Sequence, residues 1–278
     1  MKRSPLLMVL AMLFFALHDA LGKYVTGVAS IPQMLAIESA VALAVIAPWL
    51  LRHGLSSLRV TEAPWLHFLR VALVIGQLAC LYGALRGATL TDVVTLYQVA
   101  PALTVIMASF VLGERAGPLG WMSVILGFAG VLLIVKPDDL DVSPAHAIAL
   151  LGMSMYAAFN LLTRRLRAAS PETLLGWHMI GMLLASAIAM PFHWNPLDLG
   201  TVGLMTAMGV LVGLGWLTFN TALGVAQTAA VMPLHYTIIV WAMLFGWLHW
   251  SDRPDGATLI GADLIVLNSL LAARPASR

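Results

Sequence analysis

Charge is what this chain lacks. Asp, Glu, Lys and Arg make up 10% of its 278 residues, where a soluble protein carries roughly 25%. With 60% apolar residues and a mean hydropathy of +0.91, it has too little polar surface to coat a globule in water. These numbers describe an integral membrane protein. Cysteine is nearly absent: the single Cys80 excludes an internal disulfide and cannot build a cysteine-based metal site. No HExxH, no GxSxG and no glycine-rich phosphate loop occurs. The histidines are scattered, without metal-ligand spacing. The expectation is therefore no enzyme, no metal, no cofactor and no nucleic-acid partner. No loop resembles an ion filter, and no linker is long enough to separate soluble domains. Met1-Lys2-Arg3 before an apolar run imitates a signal peptide. That run carries His18, Asp19 and Lys23 and lacks a clear small-residue cleavage site, so it reads as a retained helix.

What is present is a series of apolar runs. About 20 such residues cross the hydrocarbon as a helix, and backbone groups in lipid must be satisfied internally. Ten runs qualify: 5–24, 32–51, 65–86, 90–112, 118–136, 144–163, 172–191, 200–222, 228–249 and 257–274. Between them lie turn signals such as Arg52-His53-Gly54, Ser170-Pro171 and Asn195-Pro196. Lys and Arg favour the cytoplasmic side. With ten spans, Lys2, Arg3, Arg52, Arg59, Arg115, Arg164, Arg165, Arg167, Arg274 and Arg278 share one side, so both termini are expected in the cytoplasm of a cell whose inner membrane holds the chain.

The chain also repeats itself. Slid forward by 138 positions, Ala84–Pro137 lies on Ala222–Pro275 without a gap. Glu114-Arg115 then meets Asp252-Arg253, and Lys136-Pro137 meets Arg274-Pro275. Two units follow, 1–137 and 138–278. Five spans per unit is an odd number, so the second unit enters the membrane inverted. Inverted repeats are a recurring plan of secondary transporters, with the substrate near the midplane between them.

Ionisable residues inside such helices are costly and usually face a cavity or each other. Asp19 and Lys23 share a helical face, four residues apart, in the favourable order for an ion pair. Asp19 can equally line a substrate path or carry a proton. His18 points about 100° away from it and reads as a packing residue. Glu38 has no charge within a turn, so its partner must come from another helix; it is the second proton-coupling candidate. Arg70 is expected to snorkel from a helix end. A polar-aromatic set completes the list of substrate contacts: Tyr82, Tyr97, Gln98, Trp216, Asn220, His235 and Tyr236; the third run adds Gln77, and the sixth adds Tyr156 and Asn160. Under the 138 offset Tyr97 meets His235 and Gln98 meets Tyr236. Such residues also serve as glue between helices.

Leu112-Gly113-Glu114-Arg115 closing the fourth run, with Gly127-Phe128-Ala129-Gly130-Val131 in the fifth, resembles the drug/metabolite transporter superfamily, specifically its EamA-type carriers. Asp19-Ala20-Leu21-Gly22-Lys23-Tyr24 and Pro233-Leu234-His235-Tyr236 are similar to members that include riboflavin and S-adenosylmethionine carriers. The resemblance covers nearly the whole chain. It implies ten helices around a central cavity, a small-molecule metabolite as cargo and no prosthetic group. Many relatives have an arginine where this chain places Glu38, which changes the charge a substrate meets. The expected function is secondary transport of a small organic metabolite by alternating access, with protons as a coupling ion. A non-transporting scaffold or sensor is the alternative, ahead of a channel or a membrane enzyme.

Overall fold

The computed structural model describes residues 4–25, 28–54, 58, 63–84, 87, 93, 96–114, 116–135, 144–250 and 256–272. Helices dominate among them. They are α1 (Ser4–Val25), α2 (Ile31–Val45), α3 (Ala47–His53), α4 (Pro64–Ala84), α5 (Ala100–Val111), α6 (Pro118–Val135), α7 (Pro144–Arg165), α8 (Pro171–Ala189), α9 (Leu199–Val225), α10 (Thr228–Val231), α11 (Thr237–Trp250) and α12 (Gly256–Ala272).

Local chemistry sets several helix ends. Ser30 caps α2: its hydroxyl accepts from the Gln33 amide, and the Gln33 side chain returns to the Ser30 amide, a reciprocal capping box. Ser170 caps α8 through the Thr173 amide at 3.1 Å, with Pro171 opening the helix. Asp198 caps α9 through the Thr201 amide at 2.7 Å. That bond holds the Asp198 carboxyl below its ordinary range, because it stabilises the ionised form.

Six helices or helical stretches are long and apolar enough to cross a membrane, and a seventh is α2 with α3 taken together. Two differences from the sequence expectation have prolines behind them. The run 32–51 is one unbroken helix by hydropathy, yet α2 and α3 meet at a 46° bend around Ile46. Pro48, in the first turn of α3, has no amide and its ring crowds the carbonyl four residues back. The run 228–249 is broken into α10 and α11 by a 3₁₀ turn, Met232–Tyr236, at Pro233. α5 is a shorter apolar helix than the run 90–112, and 88–92 lie outside the described residues.

Packing is concentrated along α1 with α9, α4 with α7, α6 with α12, and α2 with α8 and α9. Close approach needs small residues at three of these seams. A Cβ on Gly130 of α6 would stand 2.6 Å from the Gly261 carbonyl oxygen of α12. On Gly209 of α9 it would stand 3.1 Å from the Glu38 Cα of α2. On Gly215 it would enter the Phe15 ring of α1. The outer face is apolar, with Leu51, Phe110, Leu184, Ile188 and Leu259 exposed, as a lipid-facing surface requires. The chain is a multi-pass, all-helical membrane protein.

Candidate functional site

Between the helices lies a cavity of about 360 Å³, within the size range of small-molecule sites. Its polar lining is His18 and Asp19 from α1, Glu38 and Ser39 from α2, Gln77 from α4, Tyr97, Tyr156 from α7, His178 from α8 and His235 from the 3₁₀ turn. Phe15, Trp216 and several aliphatic and methionine side chains supply the rest. Among the described lining residues there is no lysine or arginine.

One end of the cavity holds an ionisable chain. His18 Nδ1 is 2.9 Å from Asp19 Oδ1, and His18 Nε2 is 3.1 Å from Glu38 Oε2. The imidazole thus bridges two carboxyls from two helices. This corrects the assignment of His18 to packing. A 100° offset separates neighbouring Cβ directions on a helix, but a side chain as long as imidazole swings across it when its far nitrogen has a partner. Glu38, expected to need a partner from elsewhere, finds it in His18. Glu38 is buried and its Oε1 has no hydrogen-bond partner, whereas most of the Asp19 side chain is exposed. The expected Asp19–Lys23 pair involves the Lys23 side chain, which lies outside the described residues.

The other walls are aromatic. Phe15 meets Trp216 edge-on at 5.1 Å, and Trp216 meets His178 at 4.8 Å and Phe159 at 5.3 Å. Tyr156 Oη lies 3.1 Å from His235 Nε2. Tyr97 Oη donates to the Gln77 carbonyl at 2.9 Å; Gly152, where a Cβ would collide with that hydroxyl, leaves it room.

Of the nine residues singled out in the sequence, Asp19, Glu38, Tyr97, Trp216 and His235 line this cavity. Gln98 is half-buried and outside the lining. Asn220 and Tyr236 lie away from it. Tyr236 is fully buried against Val131 and Ile265, between α6 and α12. Neighbours on a 3₁₀ turn point about 120° apart, so His235 and Tyr236 cannot face one cavity together. The Tyr82 side chain lies outside the described residues. His178 and Phe15 are lining residues that the sequence did not single out. An aromatic at helical spacing reads as core until a cavity is seen.

Asn220 serves a second network. Its Oδ1 accepts from Arg70 Nη2 at 3.1 Å; Arg70 Nε donates to Thr163 Oγ1 at 2.7 Å and Nη1 to the Leu174 carbonyl at 3.0 Å. The guanidinium also sits 4.2 Å from the centre of the Phe159 ring. Arg70 is buried, not snorkelling: four donor–acceptor and ring contacts inside the bundle replace water. It ties α4 to α7, α8 and α9. A third network surrounds Arg164, which donates through Nε to Glu114 and through Nη1 to the carbonyls of Leu223 and Gly224. The other Glu114 oxygen accepts from the Thr228 amide at 2.7 Å. The end of α7 is thereby tied to the ends of α5 and α9 and the start of α10.

A family profile described as the EamA-like transporter family matches residues 2–136 and again 143–274. A riboflavin transporter of Rhizobium johnstonii is 28% identical, over 98% of this chain and 91% of its own. A pseudopaline exporter of Pseudomonas aeruginosa is 27% identical, over 99% and 97%. An S-adenosylmethionine uptake transporter of Rickettsia felis is 23% identical, over 80% and 76%. A solved crystal structure superposes with a TM-score of 0.84 over 97% of this chain and 96% of that one, at 21% identity, a likeness of fold.

Proposed function

The chain belongs to the EamA-like transporter family, and from that premise we propose that it carries a small organic metabolite through the His18–Glu38 cavity by alternating access. That it is a membrane transporter and not an enzyme follows from the family and from its transporter relatives. The observation that carries the site proposal is the cavity itself: carboxyls, imidazoles and aromatic rings from both halves of the chain converge on one space of metabolite size.

The proposed architecture is ten spans in two inverted units, 1–137 and 138–278. It is supported by the two family matches and by the symmetry of the packing. Exchanging the units turns the α1–α9 seam into the α7–α4 seam, and the α1–α11 seam into the α7–α5 seam; the α6–α12 and α2–α8 seams map onto themselves. Such symmetry provides two equivalent arrangements, open to opposite sides. The predominance of Lys and Arg on one side supports cytoplasmic termini in an inner membrane.

Glu38 and Asp19 are the proposed proton-coupling carboxyls, and Asp19, Glu38, Tyr97, Trp216 and His235 the proposed substrate contacts. Counterflow in proteoliposomes tests the proposal, with riboflavin, S-adenosylmethionine, amino acids and organic cations, with and without a pH gradient. Saturable exchange of one compound is the expected result. No exchange of any of them by folded protein would remove its support. If Glu38→Gln and Asp19→Asn both keep gradient-driven accumulation, the carboxyls are not the coupling sites.

A further inference from the structure

The cavity's own chemistry narrows its cargo. Its formal charges come from Asp19 and Glu38, with His18 between them, and no described lining residue is a lysine or arginine. With both carboxyls ionised the cluster is negative even when His18 carries a proton. The inner carboxyl is the telling one. Glu38 is 5% exposed, His18 occupies only its Oε2, and Oε1 is buried without a partner. An unsatisfied buried carboxylate oxygen is costly, and this one lies in a residue that lines an empty space. Around that space stand Phe15, Trp216, Tyr156 and Tyr97, whose faces attract cations and flat apolar bodies.

Resting on the carrier assignment above, we propose that the His18–Asp19–Glu38 cluster is a cation-recognition subsite. The cargo is a flat or aromatic metabolite with a protonated, hydrogen-bearing nitrogen, whose charged centre donates to Glu38 and takes the place of the His18 imidazole. His18 is the internal stand-in: it holds the two carboxyls together while the site is empty and yields one of them to the cargo. An anionic cargo meets two carboxyls and, among the described lining residues, no lysine or arginine, and is disfavoured. A neutral flat cargo gains the rings but leaves Glu38 without its second partner.

Binding to the purified full chain in nanodiscs tests this with three probes of similar shape. They are the cation phenylbenzylammonium, whose N–H groups can donate to a carboxylate, the neutral phenylbenzyl alcohol and the anion phenylbenzoate, read by calorimetry and by quenching of tryptophan fluorescence. The expected result is saturable binding of the cation, at least roughly tenfold tighter than the neutral probe, with none of the anion. A hydrogen bond to a charged group corresponds to roughly ten- to hundredfold in affinity, so Glu38→Gln weakens the cation by that factor and leaves the neutral probe unchanged. His18→Ala, which removes the competitor, tightens the cation. Asp263→Asn, on the exposed face of α12, serves as the control and alters neither. A Glu38→Gln protein that is no longer monodisperse is replaced by Glu38→Asp, which keeps the charge but withdraws it; intermediate weakening is then expected.

Equal affinity for cation and neutral probe, failure of the cation to bind, or indifference to Glu38→Gln would each overturn the subsite. Riboflavin counterflow in parallel vesicles separates this from the carrier assignment. Riboflavin exchange without cation preference sinks the subsite alone. Glu38-dependent cation binding with no exchange of riboflavin or of the cation keeps the subsite and sinks the carrier.

Discussion

At the scale of single residues, three side chains answer the cost of burying charge in three ways. Glu38 shares a histidine, Arg70 is wrapped by neutral acceptors and a ring, and Arg164 is paired with Glu114. The last arrangement makes a stability prediction. Glu114→Ala leaves the buried Arg164 without its counter-charge and the Thr228 amide without its acceptor. Removing one partner of a buried pair costs on the order of 3–5 kcal/mol, so a loss near the lower end, about 3 kcal/mol, is expected for a partner that is 14% exposed. Denaturant titration of the purified protein measures it, and the swap Glu114→Arg with Arg164→Glu should recover only part, because the carbonyls of Leu223 and Gly224 still need a donor. Arg70→Lys is expected to destabilise as well, since an ammonium cannot span Thr163, Leu174 and Asn220 in one plane. Little destabilisation in the same titration would mean that these bonds contribute nothing net.

At the scale of elements, seams and caps carry the predictions. Gly130→Val puts a branched side chain where even a Cβ would stand 2.6 Å from the Gly261 backbone oxygen. Backbone cannot swing aside as a side chain can, so α6 and α12 must separate. A loss at or above the usual 1–3 kcal/mol of overpacking is expected, seen as a lower melting temperature in detergent. Ser170→Ala removes the α8 cap and should cost about 1 kcal/mol. The Asp198 cap adds a pH dependence. Its carboxyl is held below its ordinary range, so its stabilising contribution is full above the unfolded value, near 3.9. The contribution is lost as pH falls through the lowered folded value. Protection of the Thr201 amide against hydrogen exchange, taken relative to its intrinsic rate at each pH, should fall at that acid end, and Asp198→Asn should remove the dependence.

At the scale of the whole molecule, the cavity begins one turn along α4 from Arg70 and extends to three, since Val74, Gln77, Leu78 and Leu81 line it; that is roughly 6–16 Å at 1.5 Å per residue. The Arg70 and Arg164 networks tie helices together on that side of it. A different link joins the α1–α2 connection and the first turn of α2 to the α8–α9 connection: Gln33 Nε2 donates to the Asn195 carbonyl at 2.7 Å, and Asn195 Nδ2 to the Val28 carbonyl at 3.2 Å. Alternating access requires such contacts to open and re-form. In a background with Cys80 replaced by alanine, cysteines at 33 and 195 joined by a short bifunctional crosslinker should abolish exchange in proteoliposomes, and cleavage of a reducible linker should restore it. Unimpaired exchange through the crosslinked pair would show that these connections do not part during transport.

Several features were legible in the residues alone, because each rests on composition or on nearest neighbours in the chain. Scarce charge and long apolar runs determine a membrane protein of helices. The 138-residue echo and the Leu112-Gly113-Glu114-Arg115 step point to the family. Ser170-Pro171 and Asn195-Pro196 mark breaks between helices, and Glu38, isolated on its helix, announces a missing partner. What that partner is depends on which faces of α1 and α2 meet, and helical spacing cannot say so. Only the packed bundle makes His18 a bridge and not filler, turns His235 into the cavity and Tyr236 out of it, and buries Arg70 against Asn220. The reason is physical. A local pattern determines where a side chain leaves its own helix, whereas its partners are decided by contacts between residues that lie far apart in the chain.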